Sequence, residues 1–483
     1  MAIKRYTANA DNTITNAFES NLQTRGTGSN MGESDILETF TIYGQANTSS
    51  MEQSRILINF PISDITADRA SGDIPTNGNV SFYLRMYNAP HGQTLPKDYS
   101  LAVLPVSRSW TEGYGLDMES YADKGTSNWI SASLSASGDD GGWVSEGGDY
   151  HSTPAYSQYL STGTEDIEID ITSLVEEWLA ETKDSDGIGI QISSSYAAMD
   201  RSFYTKKFYA RGTEHFYYKP TIEARWDSAR KDRRNSFYAS SSLVPGADNL
   251  NTLYLYNQVR GQLQNIPAVG TGELSMSLYY GASTAPVGTA LTCSGPDGIG
   301  VTQVSGGWVA AGIYSASVAI DTTSSYLYDV WHNGSGTEYA TGSQIAVRSF
   351  STSTAADTGE YVSNITNMKP SYATSEKPRM RMFIRDKDWN PTIYSVATTN
   401  IETKIIEDAY YNIFRIADDF DVISYGTGSA NAGYTQMSYD KDGNYFDIDM
   451  SLFDAGYSYG IKVSYKVNDR YEEQSELFKF RVE

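Results

Sequence analysis

The sequence predicts an all-β chain built as several sandwiches or jelly rolls, and three observations carry that prediction. Apolar and polar residues alternate with a period of two through most ordered-looking stretches. Gly, Pro, Asn and Asp turn signals interrupt those stretches at short intervals. Aromatic residues make up 13% of the chain, and Tyr alone contributes 37, a composition that favours half-buried pleated surfaces.

The alternation places the strands. In Ser54–Phe60 the run Ile56-Leu57-Ile58 follows Arg55 and leads to Pro61. In Ser81–Tyr87, Phe82, Leu84 and Met86 share one face, with Ser81, Tyr83, Arg85 and Tyr87 opposite. Ile188, Ile190 and Ile192 alternate with Gly189 and Gln191, and Thr221–Trp226 reads as a further strand. Gly272–Tyr280 and Ser324–His332 read as a pair of strands in the middle of the chain. Met380, Met382 and Ile384 oppose Arg379 and Arg381, and Ile461, Val463, Tyr465 and Val467 oppose Lys462, Ser464 and Lys466. The chain closes with Phe478, Phe480 and Val482 against Lys479, Arg481 and Glu483, a strand that could complete the sheet of a neighbouring molecule. One helix is predicted over Asp170–Leu179, because Leu174, Val175, Trp178 and Leu179 form an apolar stripe. Asp170 or Thr172 would be its N-cap, and Glu176 and Glu177 would face water.

Two breaks divide the chain. Asp227–Asn235 reads as a polar, locally basic linker, and Ser349–Thr358 as a Ser/Thr/Ala-rich connection. The expected domains are therefore 1–230, a jelly-roll sandwich; 231–353, a β-sandwich or jelly roll; and 354–483, an immunoglobulin-like β-sandwich.

Charge and composition exclude several functions. Lys plus Arg is 36 and Asp plus Glu is 59, so the formal net charge is −23. That excess argues against nucleic acid, whose phosphates need a basic footprint, and against an anionic membrane surface. A single cysteine, Cys293, rules out a disulfide framework and Cys-rich metal sites, and reads as a small hydrophobe at a strand end. The start Met1-Ala2-Ile3-Lys4-Arg5 is not followed by an apolar run, so no signal peptide is expected and synthesis in a host cytoplasm is.

The first part resembles the DNRLRE family, a jelly-roll module related to carbohydrate-binding β-sandwiches. The resemblance rests on Ala10-Asp11-Asn12-Thr13, Gly26–Gly32, Ser54–Phe60, Ser81–Tyr87, Ser109-Trp110-Thr111-Glu112-Gly113, the helix Asp170–Leu179, Gly187–Ser193 and Lys219–Ala224. It covers about half the chain and implies a sandwich that binds rather than catalyses. The opening MAIKRY, the passage Phe383–Pro391 and the ending Gln474–Glu483 are similar to virion structural proteins of marine tailed phages. Those likenesses imply a virion location.

Catalytic patterns are not found. There is no Gly-x-Ser-x-Gly elbow, P-loop, dinucleotide fingerprint or HExxH, and His91, His151, His215 and His332 are widely spaced. Asp440–Asp447 superficially resembles a calcium loop, but its Gly443 is at the wrong position and Ser451 replaces the bidentate Glu; a hairpin turning at Asp442-Gly443 is expected instead. Asp139, Asp140 and Asp149 form a Gly-rich acidic loop that could hold a metal or be a surface excursion. In the long region 114–163, Trp129, Trp143, Tyr150 and Tyr156 are the candidate interaction or glycan-contact residues, as rings on which sugars or protein partners could stack. The sequence thus predicts no enzyme, no cofactor and no metal. It predicts a structural virion protein of neck, collar, tail or capsid surface, in a symmetric multi-copy assembly with other virion proteins. The alternative is an adhesin for host-surface glycan.

Overall fold

A computed structural model describes residues 2–483 except 44–50, 93–94, 121–124, 135–139, 200, 283, 297, 351–358, 389–402 and 428–431. Asp139, Trp389, Asn390 and Pro391, and most of the Ser/Thr-rich connection, therefore lie outside the described residues, as does the side chain of Asp140. The chain is all-β and forms several sandwiches, as its alternation dictates. Ala2–Asp227 and Ser228–Glu483 are two compact units.

Among the described residues the first unit holds thirteen strands. They begin with β1 (Ile3–Thr7), β2 (Ala10–Thr15), β3 (Ile36–Tyr43), β4 (Met51–Asn59), β5 (Ser81–Met86) and β6 (Tyr99–Pro105). They continue with β7 (Ser131–Leu134), β8 (Asp140–Gly142), β9 (Tyr156–Leu160), β10 (Ile167–Asp170), β11 (Ile188–Ile192), β12 (Phe203–Tyr209) and β13 (Thr221–Arg225). One sheet runs β1-β13-β5-β10 and the other β12-β3-β4-β11-β6-β9, with β2 also paired to β4. Set aside β2, β3, β7, β8 and β12, and the remaining strands fall in the order first-eighth-third-sixth facing second-seventh-fourth-fifth. That is the strand order of a jelly roll. Its core is the inward half of each alternation: Phe82, Leu84, Met86, Ile56, Ile58, Ile188, Ile190 and Ile222 are all fully buried.

Two helices of two turns or more lie between strands among the described residues, besides the short turn of helix Ser194–Ala197. α1 (Ile62–Ser71) starts after Pro61, buries Ile62 and Ile65, and ends at Gly72, whose φ of +81° suits a residue without Cβ. α2 (Thr172–Leu179) buries Leu174, Val175 and Trp178, as the stripe requires. No side chain caps α2 in the usual way; Asp170 instead accepts from the Thr172 N–H at 2.9 Å. The expectation that Glu176 faces water is corrected: Arg69 on α1 grips both its oxygens at 2.6 Å, joining the helices. Glu177 pairs with Lys183 at 3.3 Å.

The exposed side of the four-stranded sheet is an ionic lattice. Register sets Arg5 opposite Glu223 and Glu223 opposite Tyr83. Glu223 is 2% exposed and is reached by Arg5 at 2.6 Å, Arg225 at 2.7 Å and Arg85 at 3.3 Å. Burial alone would raise its pKa, but the three guanidinium groups hold the carboxyl far below the usual range.

In the second unit, residues 237–348 form one continuous strand path. In order it runs Phe237–Tyr238, Ile345–Arg348, Tyr326–His332, Leu274–Gly281, Val304–Ala310, Ile313–Val318 and Asn251–Tyr256. The predicted middle pair is present, with Ser275 opposite His332. The path wraps a core that includes Trp331, Tyr314, Leu253, Met276 and Leu278.

Residues 361–482 form two sheets. One runs Tyr361–Ile365, Arg379–Asp386, Gly443–Asp447, Ser438–Asp440; the other runs Ser371–Tyr372, Phe478–Val482, Ser458–Val467, Ala409–Arg415, Phe420–Ile423. In chain order these are the A-B-E-D and A′-G-F-C-C′ sheets of an immunoglobulin-type sandwich. The closing strand is therefore internal, antiparallel to Ser458–Val467 and parallel to Ser371–Tyr372. One edge is paired along Phe478–Arg481, and the other is taken by Ser371–Tyr372 at Arg481 and Val482.

The basic segment after Asp227 is a packed element. Arg230 and Asp232 exchange backbone bonds with Tyr439 at 2.9 and 3.0 Å. Arg233 clamps Glu407 at 2.6 and 2.9 Å. Arg234 clamps the fully buried Asp329 with two bonds of 2.6 Å, and Asp329 also accepts from Trp331 Nε1 at 2.7 Å. Composition alone reads such a run as solvated, because it does not show the distant carboxylates that receive it.

Glu223 supplies the first prediction. A carboxyl whose folded pKa lies below its unfolded one stabilises the fold at all pH above the unfolded value, and the contribution is lost as pH falls from there. Glu223→Gln should cost about 3 kcal/mol at pH 7, since it leaves buried guanidinium groups under-compensated. Urea unfolding should also show a flatter loss of stability than wild type as pH drops below about 4.3.

Candidate functional site

Alternation along β4 sends Ile56 and Ile58 into the core and turns Arg55 and Leu57 to the opposite face. The chain between β6 and β9 folds over that opposite face and carries its own small core. Trp129, Trp143 and Ala132 pack there with Ile14 and Leu57, and Trp110 and Tyr150 lie against them. Arg55 sits beneath, donating to Gly147 O at 2.9 Å, with its guanidinium 5.1 Å from the Trp129 ring centre and 5.7 Å from that of Tyr150.

Glycines make the approach possible. A Cβ on Gly189 of β11 would run into the Tyr150 ring, and one on Gly147 would meet Trp129 at 2.9 Å. Gly147 and Gly148 also adopt φ of +86° and +105°. The polar edges of the rings are satisfied: Trp143 Nε1 donates to Asn128 O at 2.8 Å, Trp110 Nε1 to Asp186 O at 2.9 Å, and Tyr150 Oη to Gly147 O at 2.9 Å. Burial raises the Tyr150 phenol pKa.

The structure therefore gathers three of the four candidate aromatics but gives them another role. Trp129 and Trp143 are 3% and 8% exposed, so neither offers a face to a sugar or a partner. A long excursion needs buried rings of its own to hold one conformation, and these two supply them. Tyr156 lies elsewhere, at the start of α2, where its hydroxyl bonds Ser173 Oγ at 2.7 Å and accepts from Leu174 N at 3.2 Å. Tyr150 is half-buried and stands at the border of a groove.

That groove, about 720 Å³, is lined by Ser107, Arg108, Val144, Ser145, Gly148, Asp149 and Tyr150. Asp149, one of the acids considered for a metal, turns its oxygens to the N–H groups of Val144 and Ser145, each at 2.9 Å, and so shapes the loop. Among the described residues no cluster of three His, Cys, Asp or Glu side chains could hold a metal ion. Arg108 went unnoticed in the sequence because it lies between a strand and the Trp110 motif with no periodic or charge-spacing signal.

Two motif residues meet in a polar knot. Glu112 of the Trp-Thr-Glu-Gly motif accepts from the Asp11 N–H at 2.7 Å and takes two bonds from Arg211 at 2.8 and 2.5 Å. Asp11 accepts from the Arg211 N–H at 2.6 Å, while its other oxygen is buried without a partner. Burial first, then Glu112 and Glu33, raise its pKa to about 7 against the opposing pull of Arg211. Asp11 is fully buried and Glu112 is saturated by Arg211, so the pair has no opening for a substrate.

Other chemistry is closed off as well. His332 Nε2 and Ser277 Oγ are 2.9 Å apart, but Gly334 N–H donates to His332 Nδ1 at 3.0 Å. Nε2 therefore carries the proton and donates to Ser277, which in turn donates to Thr302 O at 2.8 Å. This is the wrong tautomer for a base acting on that serine. Two of the three acids of the calcium-like segment are paired with arginine, Asp440 with Arg381 at 2.6 and 2.7 Å and Asp447 with Arg379 at 2.8 and 3.0 Å, while Asp442 lies exposed beside Lys441. The hairpin there turns one residue earlier than expected, at Lys441-Asp442, and Gly443 at φ +108° closes it. Cys293 is buried, its Sγ donating to Val301 O at 3.3 Å, and burial raises its pKa.

No family model matches the chain. No curated protein matches it either. Among solved structures, chicken CNTN1 FN1-FN3 domains are similar at 10% identity and a TM-score of 0.15, with 58% of this chain and 82% of that chain covered. At that score the likeness carries no argument, and the architecture rests on the strand orders above.

Two outcomes follow from the site. Gly189→Ala should destabilise the first unit by about 1–3 kcal/mol by displacing Tyr150, and limited proteolysis should then cut within 107–155 faster than in wild type. Asp11 is an acid whose folded pKa lies above its unfolded one, so stability should fall as pH rises from about 4 to about 7. Asp11→Asn should remove that slope and be more stable than wild type at pH 8, read by guanidinium unfolding at pH 5 and 8.

Proposed function

We propose that this chain is a non-enzymatic structural component of a tailed-phage particle, a multi-copy spacer that acts through contacts with other virion proteins. One observation carries the proposal: large apolar side chains stand in solvent on loops and on a short strand. Val144 is 86% exposed, Tyr114 67%, Leu243 65% and Ile299 92%. Paired acids and locked aromatics make stiff units, and exposed loop side chains of this kind suit protein interfaces. The similarity of the chain's two ends to virion proteins supports the particle setting. Strand donation by Phe478–Val482 is not part of the mechanism, since one edge is paired along Phe478–Arg481 and the other is taken at Arg481 and Val482.

Mass spectrometry of purified particles with cross-linking is the test. Recovery at fixed stoichiometry, cross-linked to portal, neck, tail or capsid proteins, is the expected result. A chain found free in the lysate and absent from particles would overturn the proposal. A second reading, glycan binding by the first unit, is favoured by one feature, the groove beside Tyr150 and Arg108.

A further inference from the structure

We infer that the first unit locks its own sandwich with an amide bond between two side chains, formed when Lys206 Nζ displaces the carboxamide nitrogen of Asn88 as ammonia. The bond joins β12, in the larger sheet, to the segment that follows β5, in the smaller one.

Lys206 is the central observation. It takes an inward position of β12, between Tyr204 and Phe208, where the alternation calls for an apolar side chain. It is fully buried, and a buried ammonium is costly unless a carboxylate matches it. Arg5, Arg69 and Arg225 of the same unit keep that rule. Lys206 does not: among the described residues it has no ion pair, and it donates to Asn88 Oδ1 at 2.7 Å and to Gly163 O at 3.0 Å. Its Nζ also stands 5.0 Å from the centre of the Phe208 ring. Burial lowers the Lys206 pKa to about 8 against the opposing pull of Asp166 and Glu165, so a share of it is neutral amine at neutral pH.

The neighbours suit the exchange. A nitrogen 2.7 Å from Oδ1 lies about 3–4 Å from the amide carbon, near the separation from which held reactants combine. Asp166 accepts the Asn88 N–H at 2.7 Å and fixes the residue that is attacked. Glu165 takes the Thr162 N–H and the Ser161 hydroxyl on Oε1, while its Oε2 is buried with no partner. The neutral amine adds to Asn88 Cγ, and its surplus proton passes by way of Glu165 Oε2 to Nδ2. The Cγ–Nδ2 bond then breaks, and ammonia leaves past the half-buried Asn88. No oxidant or cofactor is needed. The product amide keeps one N–H, for which Gly163 O is already in place. Burial favours the product, because an uncharged amide replaces an ammonium. In a chain with a single cysteine, the bond is the covalent tie that a disulfide cannot provide, and it spans 118 positions.

The test is intact-mass spectrometry and peptide mapping of the purified full chain. After any loss of Met1, its mass should fall short of the sequence mass by one ammonia. Digestion in denaturant should release one branched peptide that joins the segments around Asn88 and Lys206. Asn88→Ala and Lys206→Met should each show the full mass and separate linear peptides. Asn88→Ala should also unfold at a lower temperature, since its unfolded chain is no longer tied. Glu165→Gln should retain a large share of unreacted chain; complete reaction in that variant would overturn the relay through Glu165 while the bond stands. Wild-type chain at full mass, with Asn88 and Lys206 in separate linear peptides, would overturn the inference, and so would an ammonia loss that maps to any other residues. The wild-type mass is read directly, so this outcome does not depend on a variant folding.

Discussion

The structure depends on the rule that a buried carboxylate must be matched. With 59 acids against 36 bases, this chain cannot pair every acid, so it concentrates its arginines where acids lose water. Glu223 is surrounded by three guanidinium groups on neighbouring strands. Asp329 takes the two-pronged bond from Arg234, and Asp440 and Asp447 take theirs from Arg381 and Arg379. The surplus acids stay in solvent and set the net charge. Each internal pair fixes two strands, or a strand and a segment, in one geometry, which is why the register of these sheets is so strongly specified.

The same rule decides where the perturbed acids sit. A catalytic carboxyl has to be perturbed and reachable. Here the most perturbed acids, Asp11 and Glu223, are sealed, and the reachable ones are paired or lie on open surface. The one Ser–His contact has its proton on the wrong nitrogen. Large apolar side chains such as Val144 and Ile299 also face solvent, beside the surplus acids.

The aromatic residues show how a sequence reading of function can be displaced by packing. A Trp in a long Gly- and Ser-rich region is equally a ligand platform or the anchor of the region itself, and nothing in the local sequence distinguishes the two. Trp129 and Trp143 are anchors because Leu57 and Ile14 on the sheet below need cover. Tyr156 caps a helix that follows it in the chain, a use visible only once β9 and α2 are adjacent.

The sequence by itself determined that the chain is all-β, where several of its longer strands run, which face of those is buried and that α2 exists. These follow from local side-chain periodicity, a property of a few consecutive residues. Tertiary structure decided everything that depends on partners far apart in the chain. It made Arg233 and Arg234 clamps rather than linker, set Phe478–Val482 between two strands of its own sheet, and brought Asp11 to Glu112 across 101 positions. Whether a charge is solvated, matched or available is set by what the fold brings beside it, and the residue's own neighbours in sequence carry no record of that.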